Sequence, residues 1–224
     1  MPDENKPISR VTRSGDDAKA SYNRLSKWYD LMSNWYEGKH RTAALEKLAV
    51  QEGETVLEIG FGTGHGLQAM AQAVGGTGKV YGIDISEGMQ AVATSRLKTA
   101  GLLNRVELTC GDAIPLPYES DHFDAVFMSF VLELFDTPEI PEILGECHRV
   151  LRKSGRLGVV ALSKSERPGL AERLYEWAHR AFPRFADCRP IYVQQALSEA
   201  GFHIQEVAAI SMWGLKGEIV LGVK

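Results

Sequence analysis

The segment VLEIGFGTGHG, residues 56–66, places a short apolar run directly before glycines at positions 60, 62, 64 and 66. A short apolar run with β-branched residues is typical of a buried β-strand. Glycine loses more conformational freedom on folding than any other residue, so this loop has an entropic cost. We therefore interpret the segment as a strand followed by a loop that must turn tightly and let another molecule approach its backbone.

Apolar segments typical of strands alternate with segments of helical periodicity along the chain. Strands are predicted within residues 55–60, 79–85, 105–112, 123–132, 155–163, 203–211 and 216–224. Helices are predicted within residues 40–50, 67–74, 88–101, 140–151, 169–182 and 192–201. This alternation predicts an α/β fold with a doubly wound, mostly parallel sheet of seven strands. The last two strands are joined too tightly for a crossover, so we expect an antiparallel C-terminal hairpin.

The N-terminal part departs from this alternation. Residues 1–16 are polar, and we expect them to form a flexible leader. Residues 17–224 are expected to form a single domain. Within it, residues 17–50 carry aromatic side chains at helical intervals and are interpreted as a lid over the core at residues 51–224.

Composition excludes several classes of function. A formal net charge of −4 provides no global positive field for nucleic acid. The chain has no signal-peptide pattern, and no apolar run approaches the roughly 18 residues of a membrane span. The three cysteines lie far apart, which favours reduced thiols and argues against a zinc site. We expect a cytoplasmic protein without a metal or a stable membrane insertion, and leave open peripheral membrane contact and a homodimer.

The spacing of the glycines argues against a dinucleotide ligand. The fingerprint GxGxxG fails from Gly60 and from Gly62, and the match GHGLQA from Gly64 begins well past the predicted strand. Glu58 lies just before the glycines, where a carboxylate would repel a pyrophosphate and favour a positively charged ligand. The pattern E-x-G-x-G-x-G therefore predicts a nucleoside without phosphates.

The ends of the next two predicted strands agree with a nucleoside. Asp84 ends the second strand, where a carboxylate can accept hydrogen bonds from both ribose hydroxyls. Met89 follows closely and could pack on an adenine face. Asp112 ends the third strand and could accept a hydrogen bond from an exocyclic amine.

Three segments in this order resemble the S-adenosylmethionine-binding motifs of class I methyltransferases. They are Glu58-Ile59-Gly60-Phe61-Gly62-Thr63-Gly64, Asp84-Ile85-Ser86 and Gly111-Asp112-Ala113. The segments FDAVFMSFVL and ECHRVLRKSGRL resemble the fourth-strand and fifth-strand motifs of the same family. Residues 22–36 and 111–126 most resemble the branch that C-methylates precursors of ubiquinone and menaquinone.

The resemblance implies roles for the matching residues. Glu58 and the glycine loop would hold the methionine end, Asp84 the ribose, and Asp112 with the backbone of Ala113 the adenine. Ser129 would lie under the sulfonium. The whole implied cofactor-binding set is Tyr22, Glu58, Gly60, Phe61, Gly62, Thr63, Gly64, Asp84, Ile85, Met89, Gly111, Asp112, Ala113 and Ser129.

The implied reaction is methyl transfer from S-adenosylmethionine to a small, mostly apolar acceptor such as a quinone precursor. A phenolic acceptor would benefit from a base, and His40, Glu133 and Tyr29 are candidates among which the sequence does not choose. Three alternatives stay open: a phospholipid or other small-molecule N- or O-methyltransferase, a nicotinamide-dependent oxidoreductase, and a non-catalytic nucleoside-binding module.

Overall fold

The computed structural model describes residues 37–164, 188–212 and 214–224. The strands are β1 Thr55–Ile59, β2 Lys79–Asp84, β3 Val106–Cys110, β4 Phe123–Ser129, β5 Leu151–Leu162, β6 His203–Met212 and β7 Leu215–Val223. The helices are α1 at residues 37–48, α2 His65–Ala73, α3 Glu87–Thr99, α4 Glu139–Val150 and α5 Val193–Glu199. The expected leader, most of the expected lid and the expected helix at 169–182 lie outside the described residues.

The strands form one seven-stranded sheet in the order β3-β2-β1-β4-β5-β7-β6. β1 pairs in parallel with both β2 and β4, and β7 pairs antiparallel with both β5 and β6. The doubly wound, mostly parallel sheet and its antiparallel C-terminal hairpin are therefore confirmed. The strand order reverses between β1 and β4, and ligands of such sheets bind outside the carboxyl ends of the strands at that point.

Both faces of the central strands are buried, since neighbouring residues point to opposite faces and both are enclosed. The edge strand β6 is mostly exposed. On β1, Val56 belongs to one apolar cluster and Leu57 to the other. On β5, Val160 and Val159 divide in the same way. This explains why the strands read as continuous apolar runs rather than as an alternation of apolar and polar residues.

Two strand ends differ from the expected bounds by three residues or more. β4 ends at Ser129 because Phe130 adopts a positive φ of 56°, which leaves the extended conformation. β5 begins at Leu151, before the expected start at residue 155, since Leu151 pairs with Phe123 across an irregularity in the register. Ser154 has a φ of 64° within this stretch. Over the described residues, every helix is too short or too polar to cross a bilayer.

Candidate functional site

The carboxyl ends of β1, β2 and β3 are joined by hydrogen bonds around Asp84. The Gly62 amide donates to Asp84 Oδ2 at 2.8 Å, and the Ser86 amide donates to Oδ1 at 2.9 Å. The Gly111 amide donates to the Asp84 carbonyl at 2.9 Å. One carboxylate-bearing residue at the end of β2 thereby holds the loops that follow β1 and β3.

The loop after β1 uses glycine for conformation and for space. Gly60, Gly62 and Gly64 have φ values of 68°, 50° and 82°, which L side chains rarely adopt. A Cβ atom on Gly60 would come within 2.4 Å of the Val131 side chain, and one on Gly64 within 2.8 Å of Ala93. A Cβ on Gly62 would meet nothing within 4 Å. Gly60 and Gly64 therefore allow close packing, whereas Gly62 borders open space.

Glu58 lies beneath this loop and is only 3% exposed. Its Oε1 atom would be 2.1 Å from a Cβ on Gly66, so a larger residue at that position would have to displace the carboxyl group. Its carboxyl group accepts a hydrogen bond from the Leu67 amide in the first turn of α2. Among the described residues, Oε2 has no hydrogen-bond partner.

The two acids have raised pKa values for the same main reason. The pKa of Glu58 is raised to about 8, mainly by burial and to a smaller extent by nearby Asp84, while Arg41 and the Leu67 amide act in the opposite direction. Burial also raises the pKa of Asp84, although the Ser86 and Gly62 amides favour its ionised form. A cation placed beside Oε2 would satisfy this atom and favour the ionised form of Glu58.

The loop after β3 carries the third predicted acid. Asp112 is exposed, and its Oδ1 atom accepts a hydrogen bond from the Ile114 amide at 3.1 Å. A Cβ atom on Gly111 would meet nothing within 4 Å, while Ala113 is buried. Glu58 near the end of β1, Asp84 at the end of β2 and Asp112 just after β3 therefore lie at the carboxyl ends of three neighbouring strands.

Two further residues of the predicted cofactor-binding set, Ile85 and Met89, follow Asp84 in the sequence. Ile85 is partly buried, and its carbonyl accepts a weak hydrogen bond from Cys110 Sγ at 3.6 Å. Met89 is 2% exposed and belongs to the apolar core, and its amide donates to Ser86 Oγ at 3.1 Å. Ser86 thereby caps α3.

The loop after β4 lies on the other side of the glycine loop. Ser129 is partly buried and ends β4. Phe130, in its positive-φ conformation, donates its amide to the Val160 carbonyl at 2.7 Å. The next residue, Val131, packs on Gly60. Glu133 is fully buried, and its Oε1 atom accepts from the Leu162 amide at 3.2 Å. This places the carboxylate at the carboxyl end of β5.

The other candidate bases have different positions. His40 is 8% exposed and forms a hydrogen bond with the backbone of Ser211 on β6. Burial and the neighbouring Lys39 lower the pKa of His40. Tyr29, like the predicted cofactor residue Tyr22, lies outside the described residues.

Sequence reasoning missed Arg41. This residue of α1 lies within electrostatic reach of Glu58. It also lines a groove of about 370 Å³ between α1 and α2, whose other lining residues are Gly38, Thr42, Leu45, His65, Gln68, Ala69 and Gln72. In the sequence, an arginine that faces a ligand site looks the same as an arginine that faces solvent. Only the position of α1 beside α2 shows that Arg41 lies near Glu58. In the described ranges, no three His, Cys, Asp or Glu side chains cluster as metal ligands would.

Comparison with known proteins assigns a family to this geometry. A family model described as a methyltransferase domain matches residues 56–155. A demethylmenaquinone methyltransferase from Lactobacillus johnsonii is 30% identical over 174 residues, covering 76% of this chain and 70% of that protein.

Solved structures share the fold. A SAM-dependent methyltransferase from Aquifex aeolicus superposes with a TM-score of 0.65 at 24% identity, covering 90% of this chain and 97% of the other. The [4+2]-cyclase SpnF superposes with a TM-score of 0.79 at 19% identity, covering 98% and 99%. Because a protein named for a different reaction has this fold, the fold alone does not decide the chemistry.

The family assignment therefore depends on the sequence relatives, with which the glycine loop and the three acids at one sheet edge agree. The matched family model includes β1, with Glu58, and the strands that carry the other two acids. The chain belongs to the class I S-adenosylmethionine-dependent methyltransferases, and it is an enzyme that uses this cofactor as its methyl donor.

Proposed function

We propose that this enzyme methylates a ring carbon of a small, mostly apolar acceptor of the reduced quinone type. The observation that carries the proposal is the 30% identity to a demethylmenaquinone methyltransferase over 76% of the chain. The name of that relative describes its own reaction, and the acceptor of the present enzyme is the part that needs an experiment. A phospholipid or another amine or hydroxyl acceptor is the competing possibility.

The residues at the strand ends fit the cofactor that the family uses. Glu58 Oε2 would accept a hydrogen bond from the ammonium group of the methionine end, which supplies the partner this buried atom lacks among the described residues. The open space beside Gly62 and Gly111 would admit the cofactor to the backbone. Asp84 would bind the ribose, and Asp112 with the Ala113 backbone would bind the adenine. Bound there, S-adenosylmethionine supplies an activated methyl group, so the protein contributes alignment.

Ser129 and the loop that follows it would form the boundary between cofactor and acceptor. The loop packs on Gly60 through Val131, so its position is tied to that of the glycine loop. We propose Glu133 as the residue that accepts a proton from the acceptor hydroxyl, because it lies four residues after Ser129 at the strand ends. His40 instead bonds to β6, and we assign it a packing role.

We also retain the cytoplasm as the compartment. Cys110, Cys147 and Cys188 carry thiols rather than disulfides. Thiols persist in reducing compartments, whereas oxidising ones favour disulfides. Cys147 is buried in the core, and burial raises the pKa of its thiol to about 12, which makes it a packing residue rather than a nucleophile.

The test is a transfer assay with methyl-labelled S-adenosylmethionine and three acceptors presented separately. These are a reduced demethylnaphthoquinone with a short prenyl tail, phosphatidylethanolamine vesicles and a simple phenol. We expect label on the naphthoquinol, with mass spectrometry placing the new methyl group on a ring carbon. Glu133→Gln should lower kcat strongly while leaving the affinity for the cofactor product unchanged, and His40→Gln serves as the matched control.

Label found only in the phospholipid, or on an oxygen atom, would contradict the proposed acceptor. Equal activity of Glu133→Gln and the wild type would leave the acceptor proposal intact and overturn the role of Glu133. A third outcome would be that the wild type binds the cofactor product, Glu133→Gln stays active and His40→Gln is inactive. In that case His40 would be the proton acceptor and Glu133 would have the packing role.

A further inference from the structure

The segment ECHRVLRKSGRL contains a side-chain cluster that the proposed cofactor site leaves unexplained. Arg149, in the last turn of α4, makes a two-pronged pair with Glu146. Its Nε atom donates to Glu146 Oε1 at 2.8 Å, and its Nη2 atom to Oε2 at 2.7 Å. Such planar pairs are the stronger and more directional kind of ion pair. With side chains 34% and 19% exposed, the pair lies partly in the protein interior.

Both members of the pair also bind the backbone of the loop between β3 and β4. Arg149 Nη1 donates to the Tyr118 carbonyl at 2.7 Å, and Nη2 to the Leu116 carbonyl at 3.1 Å. The Leu116 amide donates to Glu146 Oε2 at 2.8 Å. Three backbone groups of one loop are therefore held by two side chains of one helix.

Packing also holds this loop, since the Tyr118 ring contacts the Tyr81 and Phe123 rings edge-on, but its prolines leave fewer backbone groups that can donate a hydrogen bond. It contains Pro115 and Pro117, which have no backbone N–H group to donate. Leu116 and Ala113 anchor it to the apolar core. At its far end, the Asp121 and His122 amides donate to the carbonyls of Arg149 and Val150 at 3.0 and 2.8 Å. The end of α4 thus binds the backbone of the loop at Leu116, Tyr118, Asp121 and His122.

The beginning of the same loop carries Asp112 and Ala113. The Asp112 side chain is exposed, and the structure gives it one hydrogen bond, from the Ile114 amide within its own turn. Its location relative to β2 therefore depends on the backbone, which is attached to β2 at Gly111 and to α4 at Leu116. Loss of the attachment to α4 at Leu116 would leave the backbone hydrogen bond at Gly111 to hold the turn that carries Asp112.

We propose that Arg149, with Glu146, is a positioning residue for the adenine end of the cofactor. It acts through the backbone of residues 111–118 and does not touch the cofactor. Hydrogen bonding to Arg149 lowers the pKa of Glu146, so the pair is ionised over the neutral range. The inference rests on the proposed assignment of Asp112 and Ala113 to the adenine.

The test measures the affinity of the full-length enzyme for S-adenosylhomocysteine and for 5′-methylthioadenosine by calorimetry. Arg149→Met keeps the side-chain stem and removes the donors. We expect it to weaken both ligands about two- to thirtyfold, because both contain adenine. Arg149→Lys should recover only part of the loss, because lysine keeps the positive charge but its ammonium group cannot make the two-pronged pair. Arg152→Met is the matched control, because it breaks the Arg152–Asp124 ion pair and leaves the loop attached.

Two further readouts separate positioning from stability. A purely structural role would lower the binding stoichiometry through unfolded protein, whereas positioning changes the dissociation constant at unchanged stoichiometry. In an Asp112→Ala background, Arg149→Met should have a smaller effect than in the wild type. Glu146→Gln provides the same test with a milder change if Arg149→Met does not fold.

The results that would overturn the inference differ from those that would overturn the proposed site. If the wild type binds both ligands and folded Arg149→Met binds them equally well, Arg149 does not position the adenine. The same conclusion follows if the effects of Asp112→Ala and Arg149→Met simply add. If the wild type binds neither ligand, the proposed cofactor site itself is wrong.

Discussion

At the scale of single residues, Glu58 shows most clearly how this site departs from a stability optimum. A buried carboxyl group is costly to ionise, and the single hydrogen bond from the Leu67 amide does not compensate. Oε2 has no hydrogen-bond partner among the described residues. A buried acid of this kind, beside open space at Gly62, is typical of a binding site rather than of a core.

Glu58→Gln should make the protein more stable than the wild type, increasingly so as the pH rises. The pKa of Glu58 is raised from its ordinary 4.5 to about 8 in the folded state. The neutral carboxyl group of Glu58 makes its full contribution to the free energy of unfolding below about pH 4.5. This contribution is lost as the pH rises to about 8, because the carboxyl group ionises in the unfolded chain before it ionises in the folded protein. One pKa unit corresponds to about 1.4 kcal/mol. Urea unfolding of both proteins from pH 5 to 8 measures the difference.

The wild type serves as the control at each pH, because all other titrating groups are the same in the two proteins. Only the difference between the two free energies of unfolding should change with pH. A difference that stays constant from pH 5 to 8 would show that Glu58 is already ionised in the folded protein.

Gly62→Ala should separate folding from binding. Gly62 has a φ of 50°, so a side chain there should cost about 1–2 kcal/mol of stability. The added methyl group would enter open space rather than collide with protein. It should therefore weaken S-adenosylhomocysteine binding, on the order of tenfold or about 1.4 kcal/mol, by occupying the cofactor's place. Calorimetry on the folded variant measures this.

Gly145→Ala is the matched control for that substitution. Gly145 lies within α4, and its Cβ would also meet open space. Alanine is favoured over glycine in a helix, so the variant should gain about 0.5–1 kcal/mol and bind normally. Unchanged affinity in Gly62→Ala would remove Gly62 from the cofactor site.

At the scale of elements, the partly buried ion pair between Arg156 and Glu54 is one of the contacts that hold the end of α1 on the sheet. Arg156 of β5 donates through Nη2 to both carboxylate oxygens of Glu54, at 2.9 and 2.7 Å. Its Nε atom donates to the Leu48 carbonyl at the end of α1, at 2.9 Å. The two side chains are 24% and 16% exposed, so solvent screens the pair less than an ordinary surface pair.

Glu54→Gln should therefore destabilise the protein by about 1–2 kcal/mol, because it removes the charge that Arg156 faces. Glu107→Gln is the matched control. Its partner Lys79 lies 3.8 Å away with side chains 40% and 56% exposed, so this loss should stay below about 0.5 kcal/mol. Denaturant midpoints measure both, and equal effects would show that the Arg156 pair contributes no more than a surface pair.

The elements also show where local sequence reasoning stops. The helices after β1 and β2 were predicted from periodicity and from glycines at their ends, within a few residues of their observed bounds. The expected start of β5 at residue 155 is wrong, because residues 140–151 read as one helix, whereas pairing with β4 draws Leu151 into the sheet. The attachment of α4 to the loop between β3 and β4 has no sequence signal, because its partners are backbone groups more than 25 residues away.

At the scale of the whole molecule, the site lies where the two halves of the sheet meet. The loop after β1 belongs to one half and the loop after β4 to the other, and Val131 packs on Gly60 between them. A ligand bound there contacts both halves and binds only the folded protein. Its binding free energy therefore adds to the free energy of unfolding of the whole domain.

S-adenosylhomocysteine at a hundredfold excess over its dissociation constant should add about 2.7 kcal/mol to that free energy. For a chain of 224 residues, this corresponds to a rise in Tm of roughly 5–10 °C. Calorimetric or fluorescence melting measures it. NAD is the matched negative control, because its pyrophosphate would approach Glu58. A larger shift with NAD would contradict the phosphate-free site and favour the oxidoreductase alternative.

The sequence alone determined the strand and helix pattern, the doubly wound sheet with its C-terminal hairpin, the protein family and its cofactor. It could do so because periodicity, glycine spacing and the order of Glu58, Asp84 and Asp112 are local properties of the chain. The tertiary structure decided which side chains from distant elements meet near the strand ends: Arg41 beside Glu58, Val131 on Gly60, and Arg149 on the loop between β3 and β4. These contacts depend on how helices pack against the sheet, and packing is a property of the assembled chain that no short stretch of residues contains.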